Sequence, residues 1–139
     1  MYLFECEATF QADPADVWAA WTDEARWPEW DVSKEMARLD GPFEPGARGW
    51  AKQRGNLGGS FTITTVETGR RWVSECAVPL GKVVFEHMLE PVGSGRVRVI
   101  KRVEAQGGSV PLMLLFAPRM RRDIAESLCA LGRRLCPAE

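Results

Sequence analysis

The sequence is short of the residues that most often advertise a chemistry. It has one histidine, His87, and one tyrosine among 139 residues. A zinc site needs more imidazole or thiolate ligands at close spacing than this. Charge of one sign is lacking too: 18 Lys+Arg stand against 19 Asp+Glu, a net −1. Such a chain has no global field to draw in nucleic acid or an anionic membrane. Long apolar runs are missing. The longest, Val110 to Ala117, contains Pro111 and falls well short of the ~18 residues of a membrane span. The opening lacks the basic start and apolar core of a secretory leader, and Glu5 and Glu7 stand where that core would lie.

Paired cysteines are also absent. Cys6, Cys76, Cys129 and Cys136 form no CxxC pair. Cys129 and Cys136 lie seven residues apart on one expected helix. At 1.5 Å rise that is about 10 Å, beyond the roughly 7 Å a disulfide tolerates. All four read as reduced thiols of a cytoplasmic protein, with no metal and no cofactor expected. What is present is 45% hydrophobic and 27% charged residues. That balance suits one soluble globular domain over 1–139, with no repeat and no linker.

Residues 2–10 alternate. Tyr2, Phe4, Cys6, Ala8 and Phe10 share one face, and Glu5, Glu7 and Thr9 the other, which predicts a half-buried strand. Asp13 and Pro14 then start a short helix with Val17, Trp18 and Trp21 on its apolar side. A second short helix is expected after Thr22-Asp23, ended by Pro28. Strands are expected at 34–39, 49–52, 60–68, 70–76, 82–90 and 96–105, joined by glycine- and proline-bearing turns. Short connections between consecutive strands imply an antiparallel sheet of about seven strands. The tail predicts a helix of about 25 residues. Met113, Ala117, Met120, Ile124, Leu128, Leu131 and Leu135 form its apolar stripe, and Pro118 should kink or restart it. Only the sheet is large enough to bury that stripe.

The element order, strand, two short helices, six strands and a long C-terminal helix, resembles the helix-grip fold. Local segments extend the likeness. DPADVWAAWTDEARWPEWD (13–31), LDGPFEPGARG (39–49) and VVFEHMLEPVGSGRVRV (83–99) resemble the polyketide cyclase/dehydrase-like group of the START-related SRPBCC superfamily. The resemblance spans nearly the whole chain, and none of these segments is a catalytic motif. It implies an α+β fold: a seven-stranded antiparallel sheet curled around the long helix, leaving a cavity between them. It also implies a hydrophobic or amphipathic ligand, and for some members cyclisation or dehydration of aromatic polyketides.

The strand phases add a conflict between pattern and chemistry. Val97, Val99 and Val103 share the inward phase with Lys101, and Val83, Phe85 and Leu89 share theirs with His87. Trp72, Ser74 and Cys76 alternate with Val73 and Glu75. Phe61, Ile63 and Thr65 alternate with Thr62 and Thr64. A dry core cannot take an unpaired lysine, because desolvation costs several kcal/mol. A hollow with a few convergent polar groups can. Lys101 therefore faces a cavity, snorkels from the sheet rim, or is shifted in phase by a bulge.

His87, the sole group with a near-neutral ordinary pKa, is the candidate acid–base residue; a histidine bonded across the sheet core is the plainer reading. Asp31 and Glu35 are conceivable carboxylate partners. Phe61, Ile63, Phe85, Met113, Met120 and Ile124, with the strand tryptophans Trp50 and Trp72, are candidate cavity-lining residues; Met113, Phe116 and Met120, near the start of the long helix, are either a pocket mouth or plain core stripe. Trp18 and Trp21 are expected to lock the short helices onto the sheet. Gly55 to Gly59 lacks the GK[ST] of a phosphate loop and is a candidate flap. The tail arginines are expected to be solvated or paired with Asp123 and Glu126.

Three functions compete. The chain is a carrier or sensor for a small hydrophobic or aromatic molecule, polyketide- or lipid-like. Alternatively it is a cyclase or dehydratase in which His87 moves protons and Lys101 stabilises an enolate. The third is a homodimeric interaction module without a ligand. None of the three involves nucleic acid or a membrane span.

Overall fold

The computed structural model describes residues 1–31, 34–53 and 58–136. Strand β1 runs Tyr2–Gln11 and is followed by helix α1, Pro14–Thr22. The Asp13 carboxylate accepts the Ala15 amide at 2.9 Å, which satisfies one free donor of the first turn. A 3-10 turn over Glu24–Arg26 leads into α2, Trp27–Trp30. Pro28 does not end a helix, as the sequence suggests. It sits in the first turn of α2, where its missing N–H has no partner to lose.

Strands β2 (Lys34–Leu39), β3 (Arg48–Gln53), β4 (Gly59–Glu67), β5 (Arg71–Val78), β6 (Gly81–Gly93) and β7 (Arg96–Gly107) follow as a meander. They form one antiparallel sheet with β1, in the order β1-β7-β6-β5-β4-β3-β2. The β6–β7 loop is tighter than the sequence implies. Strand β6 runs on through a bulge at Pro91–Gly93, and Ser94 and Gly95, both at positive φ, make the two-residue turn. The glycine-rich stretch read as a flap lies in part, at 54–57, outside the described residues.

Helix α3, Val110–Leu135, closes the chain and packs chiefly on β1 and β7. This is the helix-grip arrangement. The helix runs unbroken through Pro118, so the expected restart near Ala117 does not occur. Its stripe is buried at Met113, Ile124, Leu128 and Leu131. Leu131 is fully buried, worth roughly 1.5–3 kcal/mol on its own.

Strand phase follows the alternation except at bulges: one between Tyr2 and Phe4 in β1 sends Tyr2 to the outer face, against Arg102 and away from Phe4, and a second lies in β4. Val83, Val97, Val99 and Val103 are buried on the helix-facing side. In β4 a bulge between Ile63 and Thr65 shifts the register. Thr65 then pairs with Val73 on the outer face, and Val66 pairs with Trp72 on the inner one. The inward position inferred for Thr65 is thus corrected. The outer face carries ion pairs instead of apolar surface: Arg71 with Glu67 (2.7 Å) and Glu86 (2.6 Å), and Arg102 with Glu5 (3.2 Å).

Candidate functional site

Strand register puts four chemically distinct side chains in one row. Trp72 on β5 is opposite His87 on β6, His87 is opposite Lys101 on β7, and Lys101 is opposite Cys6 on β1. Directly paired residues share a face, so all four point toward α3. The Trp72 and His87 rings stack at 3.7 Å between centroids with planes 2° apart. Lys101 extends its ammonium over Phe85, 5.3 Å from the ring centroid.

A chamber of about 650 Å³ opens between this row and the helix. Its wall includes six aromatic side chains: Trp21, Trp27, Trp30, Phe61, Trp72 and Phe85. Trp27 stacks on Trp72 at 6.0 Å and lies 6.1 Å from Phe61, so three rings make a continuous surface. Gly49 allows this. A Cβ there would collide with the Phe61 ring, which lies directly over the glycine. Helix α3 contributes Met113, Met120, Ile124 and Leu128 to the opposite side.

The polar groups of the chamber are few. Lys34, Lys101, Asp31, Asp123, Cys76 and His87 are its ionisable side chains, and Ser60, Ser74 and Ser127 complete the polar set. The Ser127 hydroxyl donates to Asp31 at 2.6 Å and has the Asp123 carbonyl as a second acceptor at 3.0 Å. Burial pushes the Lys101 amine down from 10.5 to about 8, and repulsion from Lys34 adds to it; attraction to Asp31 resists. Burial also holds the His87 pKa well below 6.5, reinforced by the Lys101 charge. A backbone contact with Trp72 favours the charged imidazole but is outweighed. His87 is therefore neutral at pH 7. Two polar atoms of the row, His87 Nδ1 and Trp72 Nε1, are buried with no hydrogen-bond partner among the described residues.

The sequence-based candidates divide as follows. Phe61, Trp72, Phe85, His87, Lys101, Met113, Met120 and Ile124 lie on the chamber wall. Lys101 is in mid-strand within the chamber, not at the sheet rim. Two candidates are displaced. Ile63 shares the inward phase but is fully buried in packed core, with its amide and carbonyl bonded to Ala47 and Gly46. Trp50 takes the phase opposite Gly49 and Ala51, and its ring lies under the Arg38 guanidinium at 5.9 Å.

Asp31 lies close enough to act on Lys101, not His87, and Glu35 is ion-paired with Lys52. Trp21 does more than anchor a helix: it lines the chamber and meets the His87 ring edge-on at 5.9 Å. Its i+4 spacing from the fully buried Val17 was the available signal. Lys34 and Ser127 gave none, since a lysine at a strand start and a serine in a helix are unremarkable in sequence. Arg134 pairs with Glu29 at 2.8 Å, and no tail arginine pairs with Asp123 or Glu126 among the described residues.

All four cysteines are free thiols. Among the described residues no three His, Cys, Asp or Glu side chains converge as a metal site would, and no helix is long and apolar enough to cross a membrane. Residues 1–135 match the family described as polyketide cyclase/dehydrase and lipid transport. The chain belongs to this family.

No curated protein matches the sequence significantly. Solved structures place this family member within a widely shared fold. A hypothetical protein of Helicobacter pylori superposes with a TM-score of 0.80 at 14% identity, over 94% of this chain and 86% of that one. Norcoclaurine synthase of Thalictrum flavum gives 0.73 at 11%, over 98% and 94%. The di-domain ARO/CYC protein BexL, from the BE-7585A biosynthetic pathway, gives 0.71 at 18%, over 94% of this chain and 45% of that one. At such identities the likeness extends to the fold alone.

Proposed function

We propose that the protein binds a small aromatic or otherwise apolar molecule in the chamber, with an oxygen of the ligand directed at Lys101. The observation that carries this is the chamber itself: about 650 Å³ of aromatic-walled space around an ammonium group. That volume falls in the range of small-molecule sites. A void of about 150 Å³ accommodates benzene, so a molecule of roughly three or four rings is the right scale. Two further features support it. A lysine in dry core is costly, whereas a ligand carbonyl, phenolate or carboxylate gives it a partner. The stacked Trp72 and His87 rings also offer an aromatic ligand a flat surface beside that ammonium.

A second reading, acid–base catalysis of cyclisation or dehydration, is favoured by one observation, the Lys101 pKa of about 8. A group near the working pH donates and recovers protons most effectively. His87, held well below 6.5, is a weak base. In this reading the proton donor is Lys101, and His87 orients the ligand through its ring, stacked on Trp72. A homodimer through the outer sheet face has less support, because ion pairs and not an apolar patch occupy that face.

Fluorescence titration with 2-naphthoate and with naphthalene tests the binding reading. Both should bind, and naphthoate affinity should fall as pH rises through about 8, where Lys101 loses its charge. Lys101→Met should weaken naphthoate by about tenfold or more and leave naphthalene unchanged. Equal effects on both probes would remove Lys101 from the ligand site.

A further inference from the structure

The first three turns of α3 carry two apolar faces. Met113, Ala117 and Met120 face the chamber and core. Leu112, Leu115 and Phe116 lie on the other side, and Arg119 completes their i, i+3, i+4, i+7 row. This second row is in water: Leu115 is 74% exposed, Phe116 48% and Leu112 39%. A helix needs only one apolar face to fold against a sheet, so the outer row has no role in folding.

The turn between β5 and β6 holds a second anomaly. Leu80 has φ +69° and is 83% exposed. Leucine is disfavoured in this left-handed region, and its side chain gains no burial in return; glycine or asparagine would avoid both costs. Leu80 adjoins the start of α3. Its carbonyl accepts the Gly108 amide at 2.9 Å, and its Cβ is 3.2 Å from where a Cβ on Gly108 would stand. Two separate segments thus bring exposed apolar side chains to one end of the molecule. The same end frames the chamber, whose wall includes Val78, Pro79 and Met113. Arg119 and Arg122 follow on exposed positions of α3, without ion-pair partners among the described residues.

We propose that this end docks on the surface of an anionic lipid bilayer, with Leu80, Leu112, Leu115 and Phe116 in the headgroup–acyl boundary and Arg119 and Arg122 among the lipid phosphates. Leucine and phenylalanine beside arginine is the composition of helices that lie in a membrane interface. A second copy of the chain fits less well, because two-fold pairing of this surface sets the arginines of both copies against each other. A protein groove fits less well because leucine is a poor interface anchor. The chain's near-zero net charge leaves the attraction to this local cluster. Docking itself is independent of the chamber's contents. Its corollary, that an apolar cargo passes between chamber and bilayer without crossing water, rests on the ligand reading above.

Vesicle flotation of the full chain tests the proposal, with phosphatidylcholine alone and with added phosphatidylserine. The chain should float with the anionic vesicles, less so as salt is raised. Leu80→Asn combined with Leu115→Gln should weaken this at least tenfold; the first change suits the turn and the second is on the surface, so folding is preserved, as circular dichroism would check. Arg119→Gln with Arg122→Gln should weaken it about fivefold per arginine. All variants should keep wild-type affinity for 2-naphthoate, which separates loss of docking from loss of the ligand site. No flotation of the wild-type chain overturns the proposal, as does flotation unchanged by the leucine substitutions. A dimer in sedimentation velocity that those substitutions break, with no vesicle binding, would assign the surface to a second copy.

Discussion

His87 lies between Trp72 and Lys101 in one cross-strand row, and its surroundings act on its charge from two sides. Burial disfavours the imidazolium and Lys101 repels it, so the folded chain holds the proton more weakly than the unfolded chain, where the pKa is near 6.5. Below 6.5 the unfolded state therefore binds more protons. Stability rises with pH through this window and is lost as pH falls below it, by up to about 1.4 kcal/mol per pH unit for one group. His87→Phe keeps a ring on Trp72 and removes the titration. It should flatten the stability slope between about pH 6.5 and 5, measured by urea unfolding at each pH. Parallel slopes in the two proteins would contradict a buried neutral histidine. The candidate role of His87 was legible from its uniqueness and its phase. Its weakness as a base was not, because that follows first from how completely the fold buries the ring and then from the charge of Lys101, its direct partner on the adjacent strand.

At the scale of elements, alternation in the strands and the 3.6-residue stripe of α3 were enough to infer the sheet, its direction and the helix that covers it. What alternation could not supply was register. The bulge at Ile63–Thr65 depends on how β4 meets β5, and it moves Thr65 outward and Val66 inward. Trp50 was misplaced for a related reason: a short strand beginning beside a glycine leaves its phase open until Gly49 is seen beneath Phe61. Pro118 was misread because proline usually breaks a helix. Here it lies on the exposed side, and the carbonyl it leaves without a donor belongs to Leu114, itself exposed. Pro118→Ala restores that hydrogen bond inside a formed helix and should stabilise the protein by about 1–3 kcal/mol, read from the urea midpoint. An unchanged or lower midpoint would mean the helix is bent at this point and relies on the proline.

The whole molecule sets a well-packed end against an open one. Ile63, Val97, Val99 and Leu131 are fully buried, while the same sheet and the same helix part around the chamber. An unfilled space of this size forgoes packing energy that a folded chain would otherwise gain. The aromatic side chains and the lysine that line that space are what the ligand reading proposed above requires. The most direct test is an NMR titration with 2-naphthoate, observing intermolecular NOEs to the methionine and leucine methyl groups, in the wild-type chain and in Ser74→Phe, which places a ring inside the chamber. NOEs to Met113 and Met120 in the wild type, lost in the variant, are the predicted result. NOEs confined to the surface leucines Leu80 and Leu115, or identical spectra for both proteins, would contradict an interior ligand site.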